Sequence, residues 1–388
     1  MANHTLKFYP VGNGDMTLIR LTDGTSILID CNIREAEETS DGDAIFDVKE
    51  DLNGSIPKTD GVRHMDVFML THPDEDHCFG FKNSFYTGDP KKYSEDDKKT
   101  GLIIIDELWV TSMLFDCASS DDAKALKKEA QRRLDLYAKG SDVGAGNRLR
   151  MIGYNGDEMY EDVPNTIPGT IINLINGDEK KNFEFFVHAP FKKSLVQGTA
   201  EPDKNYSSVV MQARFRNENN DAKSEDYYLF GGDADHYLWK EILEQSETHE
   251  NEDKLVWDYF LAPHHCSWTF FNDTADGCDE PMESSLAVLK FGRTGAKIIA
   301  SCKCIEDDDN NPPHHDAKIL YIKKGVSSED DFIELASPAD GGDAKPIEFE
   351  IPRKIEDSNS RISNAKLIPK SIVALANEAQ KPWSRNDF

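Results

Sequence analysis

Thr71-His72-Pro73-Asp74-Glu75-Asp76-His77, directly after the apolar run Val67-Phe68-Met69-Leu70, decides how this 388-residue chain folds and where its chemistry sits. Five side chains able to bind a metal or move a proton fall within six residues, at the end of a strand's length of apolar sequence. A buried strand that ends so places imidazoles and carboxylates at a sheet edge, where desolvation is tolerable only if they pair or coordinate a cation. An ordinary acidic surface loop fits less well, because unpaired charges beside a buried strand are costly. One ion could take His72 and Asp74 and another Asp76 and His77.

Three further polar clusters follow apolar runs. Gly231-Gly232-Asp233-Ala234-Asp235-His236 comes after Tyr228-Leu229-Phe230; its glycines let backbone approach closely, so Asp233 is expected to bridge two cations while Asp235 caps a helix. Ala262-Pro263-His264-His265-Cys266-Ser267 ends another apolar run. Neighbouring residues of an extended chain point to opposite sides, so one of His264 and His265 would ligate and the other contact a substrate or leaving group. His188 follows Phe185-Phe186-Val187. Alone it would be a satisfied structural histidine, but the other clusters need a partner. Pro312-Pro313-His314-His315 is expected only to cap a helix or rim the pocket.

Alternation and turn residues predict an opening antiparallel meander through Leu6-Lys7-Phe8, Thr17-Leu18-Ile19 and Ser26-Ile27-Leu28-Ile29. Further strands are expected near 101–110, 171–175, 183–188, 208–213, 227–230, 255–261 and 296–301. Helices are expected over 121–139, 236–243, 283–290 and 316–323. Residues 140–169, rich in Gly, Asn and Asp, read as a loop or insertion over the site. The order of elements predicts an α+β chain with two sheets between helical layers, not a doubly wound parallel sheet. The hydrolase-like domain is placed at 1–325 and a charged C-terminal extension or small subdomain at 326–388.

Lys plus Arg number 44 against 72 Asp plus Glu, a net charge of −28. Such a field repels phosphate backbones and disfavours sequence-independent duplex binding. The N-terminus lacks a signal-like pattern and no long apolar run spans a membrane, so a cytoplasmic protein without a membrane partner is expected. Seven scattered Cys without a paired CxxC pattern suit a reducing compartment.

Together these motifs resemble those of the metallo-β-lactamase-fold hydrolases, whose His-x-His-x-Asp-His signature stands here as His72-Pro73-Asp74-Glu75-Asp76-His77. The likeness is closer to the hydrolase domain of bacterial DNA-uptake channel proteins and its free-standing relatives. Val11-Gly12-Asn13-Gly14-Asp15, Asn205-Tyr206-Ser207-Ser208-Val209-Val210, Gly231-Gly232-Asp233 and Pro263-His264-His265-Cys266-Ser267 stand in the order of their motifs. The resemblance implies an αββα four-layer sandwich and two divalent metal ions, Zn or Mn with Fe as an option. His72, Asp74 and His188 would surround one, Asp76, His77 and His264 or His265 (His265 is chosen) the other, with Asp233 between. It implies hydrolysis by a hydroxide bridging both ions, with Asp76, His264 and His265 in catalytic roles. Asp74 stands where the family has a second His, which shifts preference from Zn²⁺ toward Mn²⁺ or Fe. Cys266 stands where it has Gly. The expected activity is that of a phosphodiesterase or nuclease acting on a small phosphodiester or a nucleic acid. The alternatives are an ester, lactone or amide hydrolase with the same site, and a non-catalytic subunit that binds a protein partner through the acidic surface or the C-terminal extension.

Overall fold

A computed structural model describes residues 3–34, 46–141, 143–197, 205–216, 225–275, 277–278, 280–308, 310–335 and 344–352. Two mixed sheets face each other. In the first, the meander His4–Phe8, Thr17–Arg20, Ser26–Ile29 is antiparallel, and Ser26–Ile29, Val62–Met69, Ile103–Val110 and Arg148–Ile152 then run parallel. In the second, Phe183–Ala189, Val210–Arg216 and Glu225–Phe230 are antiparallel, and Glu225–Phe230, Trp257–Leu261, Gly292–Ala300 and Phe332–Glu334 are parallel.

Period-two alternation explains the layering. Ile27, Ile29, Val67 and Met69 point inward and pack on Phe183, Phe185, Val187 and Phe230 of the facing sheet. The intervening Leu28 and Phe68 point outward to meet Leu126, Ala130 and Leu134 of the helix Asp121–Ala138 and Val48 and Leu52 of Val48–Ser55. On the far side Val210, Leu229 and Phe260 meet Leu238, Trp239 and Ile242 of His236–Thr248, with Tyr321 of His315–Gly325. Burying each large side chain contributes roughly 1.5–3 kcal/mol, which is why strands apolar on both faces sit mid-sandwich. This is the α+β, αββα arrangement expected from the sequence.

Two segments are more ordered than their composition suggests. Within 140–169, Arg148–Ile152 and Asn165–Thr166 extend the first sheet, because Leu149, Met151 and Ile152 find buried places. Within 326–388, Phe332–Glu334 joins the second sheet and Ile347–Ile351 pairs with His4–Phe8 in the first. That expected extension therefore supplies an edge strand to each sheet, and 353–388 lie outside the described residues. Among the described residues no helix is long and apolar enough to cross a membrane.

The layout positions the site. Ser26–Ile29 and Val62–Met69 in one sheet, and Glu225–Phe230, Trp257–Leu261 and Gly292–Ala300 in the other, all deliver their carboxyl ends to one rim of the sandwich. Ligand sites form at such ends because each parallel strand there releases a loop whose side chains can converge.

Candidate metal centre

Asp30, directly after Ser26–Ile29, is fully buried in the left-handed region at φ 56°. Its Oδ1 accepts the Thr71 amide at 2.7 Å, while Oδ2 accepts the Thr71 hydroxyl at 2.6 Å and meets His77 Nδ1 at 2.8 Å. A hydroxyl has one hydrogen. Since Thr71 gives it to Asp30, the Thr71 oxygen accepts from His72 Nδ1, 3.1 Å away. Both rings thus carry hydrogen on Nδ1 and turn Nε2 toward the rim, which is how outer-shell partners orient ligating histidines.

Asp233 receives those nitrogens. His77 Nε2 stands 3.0 Å from its Oδ1 and His72 Nε2 3.4 Å from its Oδ2. From the next loop, His265 Nε2 lies 3.6 Å from Oδ1 and His264 Nε2 3.6 Å from Oδ2. His72 Nε2, His77 Nε2 and Asp233 Oδ1 are buried without a hydrogen-bond partner: the 3.0 Å contact lacks the alignment of a bond. Buried polar atoms are seldom left so. Basic nitrogens around a carboxylate, none bonded to it, are what a cation between them would require.

Asp233 reaches this place through Gly232, at φ 50°, where a Cβ would come within 2.6 Å of Thr71 Oγ1 and 3.3 Å of His72 Nδ1. We expect Gly232→Ala to displace Thr71 and His72 and to lower metal affinity by roughly 10–100-fold, the range for outer-shell disruption. Isothermal titration with Mn²⁺ checks it, and wild-type affinity would refute the close-packing account.

His264, His265 and Cys266 have φ of 51°, 55° and 64°. Three consecutive non-glycine residues in this region are strained, and strain of this kind collects at functional sites. Here it turns two adjacent imidazoles onto the two oxygens of one carboxylate. His265 Nε2 also meets Asp76 Oδ2 at 3.0 Å, and its Nδ1 lies 3.1 Å from the Ser301 carbonyl, 3.1 Å from the Gly14 amide and 3.6 Å from Asp15 Oδ1. Asp15, His77, Asp233 and His265 each offer one ligand atom within 4.8 Å of the others, all four residues being buried. Asp74 Oδ2 is 3.9 Å from His72 Nε2. The side chains of Asp74 and Asp76 are 32% and 37% exposed, so these two carboxylates face the opening.

Burial alone would raise the Asp233 carboxyl, but His77, His264, His72 and His265 outweigh it and hold it well below the usual range. Burial would lower His77 and His265; Asp233 and Asp30 push His77 well above its ordinary value, and Asp233, Asp15 and Asp76 push His265 up to about 10. Without a cation, protons supply the charge that the carboxylates demand. An ion must displace them, so loading near pH 7 should release protons and affinity should weaken as pH falls. Calorimetry in buffers of different ionisation enthalpy reads the release; an enthalpy independent of buffer would contradict it. The sign for ion-free protein follows. Raised His77 and His265 contribute stability that is complete below about pH 6.5 and is lost as pH climbs through the His265 value of about 10.

No family model and no curated protein matches the chain. A solved structure that does match is human tRNase Z, short form, at 9% identity and a TM-score of 0.35, with 90% of this chain and 100% of that chain covered.

Of the expected site residues, His72, Asp74, Asp76, His77, Asp233, His264 and His265 meet at one rim. His188 does not join them. With Phe183, Phe185 and Val187 in the inter-sheet core, His188 falls on the outer face, where Nε2 bonds to the Lys254 carbonyl at 2.9 Å and the ring packs on Phe186. Burial pulls it down to about 4, so it is a neutral core histidine. Asp235 caps His236–Thr248, accepting the Leu238 amide at 2.9 Å, as expected. His314 makes no side-chain cap for His315–Gly325; its Nδ1 accepts the Trp268 amide at 3.1 Å and so braces the loop that carries His264.

Asp15 and Asp30 were missed as functional residues. Both stand as carboxylates beside apolar strands, the same signal as His72 to His77, but Asp15 reads as the end of a turn and Asp30 as the last residue of a strand. The assembled residues form a buried His/Asp group that could hold a metal ion and support metal-dependent hydrolysis.

Proposed function

We propose that this protein is a metal-dependent phosphodiesterase whose His/Asp cluster around Asp233 would hold two divalent cations. The observation that carries the reading is the placing of imidazole Nε2 atoms on both sides of that carboxylate, His77 and His265 at Oδ1, His72 and His264 at Oδ2. Asp76 would join the Oδ1 side and Asp74 the Oδ2 side. The carboxylate at Asp74 favours Mn²⁺ or Fe over Zn²⁺.

Such ions, when bound, polarise a phosphoryl oxygen and lower the pKa of water. The chain's own contribution is positional. Asp76 faces the opening while His265 and His77, against the effect of burial, hold its carboxyl far below the usual range. An ionised Asp76 there can accept a hydrogen bond from an attacking water and so orient it. The buried Asp30, Thr71 and Ser301 contacts keep the rings fixed while charge builds on the phosphoryl group. The net charge of −28 supports a small phosphodiester over a long strand, because cations in a confined site can offset local repulsion whereas a strand needs a basic track.

The test is elemental analysis of protein purified without chelator, followed by bis-p-nitrophenyl phosphate and dinucleotide assays with Mn²⁺. Bound metal with metal-dependent phosphodiester turnover supports the proposal. Bound metal with turnover only on carboxylic esters or lactones would replace the substrate class, and absence of bound metal would leave an interaction protein as the better account.

A further inference from the structure

We propose that His264 is the imidazole ligand that completes the Oδ2 side of Asp233 beside His72, in the place the sequence offered to His188; this rests on the two-cation reading above. Both members of the His264-His265 pair then ligate, one on each side of the shared carboxylate.

The argument begins with hydrogens. Thr269 Oγ1 donates to Ser267 Oγ at 3.0 Å, so its single hydrogen is committed. Its oxygen, 3.1 Å from His264 Nδ1, must accept from that ring. His264 therefore carries hydrogen on Nδ1 and turns Nε2, the nitrogen left for a ligand, to Asp233 Oδ2 at 3.6 Å. At that distance the two atoms are not hydrogen-bonded to each other, and a neutral imidazole nitrogen facing a carboxylate oxygen across a mostly buried gap is the arrangement a cation between them stabilises. The device repeats the one at His72, where Thr71 commits its hydrogen to Asp30 and accepts from Nδ1, leaving Nε2 turned to the same Oδ2 at 3.4 Å.

The backbone is shaped for this placement. The His264 amide donates to the Gly232 carbonyl at 3.1 Å, tying the turn to the loop that presents Asp233. The left-handed conformation of His264, His265 and Cys266 brings neighbouring rings, 5.8 Å apart between centroids, to opposite oxygens of one carboxylate. An extended chain would have sent one of them away. His188 has its Nε2 bonded to the Lys254 carbonyl on the outer face of its strand and is not available to either oxygen.

The experiment compares wild-type full-length protein with His264→Asn, His188→Gln and Thr269→Val, each stripped of metal and reloaded with Co²⁺ or Mn²⁺. Equilibrium dialysis with elemental analysis gives stoichiometry, and Co²⁺ visible absorption reports loss of an imidazole donor. Asn is chosen because it tolerates the left-handed region. We expect two ions for wild type and for His188→Gln. His264→Asn should hold one, its second affinity falling at least about a hundredfold, and Thr269→Val should keep His264 but weaken that ion by roughly 10–100-fold. If His264→Asn or Thr269→Val binds two ions with wild-type affinity, or His188→Gln loses one, the assignment of His264 is overturned while the two-cation reading stands. Fewer than two ions on wild type would overturn that reading itself.

Discussion

Asp233→Asn should abolish stable metal binding and lower phosphodiester turnover by more than about a hundredfold, since losing even an outer-shell partner costs about 10–100-fold. Among the described residues Asp233 is the one carboxylate within 3.6 Å of four imidazoles, and it is almost fully buried. Asparagine keeps its size but removes the charge and turns an amide NH₂ toward nitrogens that need a cation. The fold should survive. Asp233 is the largest influence raising His77 and His265, so its loss lowers both rings, while Asp30 stays beside His77 and Asp15 and Asp76 beside His265, and no positive charge is left without a partner. Elemental analysis, circular dichroism and a turnover assay on the same preparation read all three. Unaltered metal content in a folded variant would place the centre elsewhere.

The largest loss of stability is expected at Asp30→Ala, about 3–5 kcal/mol, the range for removing one member of a buried charged pair. Three contacts depend on this carboxylate: the Thr71 amide, the Thr71 hydroxyl and His77 Nδ1. Alanine leaves them unpaired where water cannot reach, and it removes the polar side chain whose local hydrogen bonds support the left-handed backbone at φ 56°. Urea unfolding of ion-free protein should show a lower midpoint with an unchanged slope. Asp30→Asn separates orientation from stability. It tolerates the backbone and keeps one acceptor, so it should unfold nearer wild type yet bind Mn²⁺ roughly 10–100-fold more weakly, because His77 loses the charged partner that fixes its ring. Equal effects of the two variants on affinity and stability would argue that Asp30 only holds the fold.

Much of this was legible in the chain. Apolar runs of strand length marked most of the major strands, and the coincidence of His, Asp and Gly with their ends marked His72, Asp74, Asp76, His77, Asp233, His264 and His265 as a group. Composition misled at 140–169, where Gly and Asn between short apolar alternations concealed the strand Arg148–Ile152.

What the sequence determined by itself is the alternation that buries two faces of each central strand and the delivery of ligating residues to strand ends. Both follow from short-range rules of periodicity and desolvation. Only the tertiary structure decided which way individual side chains point. Phe183 to His188 is apolar on both faces, so parity could not say whether Val187 or His188 faces the inner layer; packing against Ile27, Val67 and Met69 settled it, and took His188 away from the rim. Asp15 and Asp23 both sit beside turn glycines, yet only Asp15 reaches the centre, because Gly14 passes against His265 across 251 residues of chain. His264 and His265 would diverge in an extended strand. They converge because the Gly232 carbonyl and the Thr269 hydroxyl hold three residues in a left-handed turn, a conformation that non-glycine residues adopt only where surrounding contacts impose it.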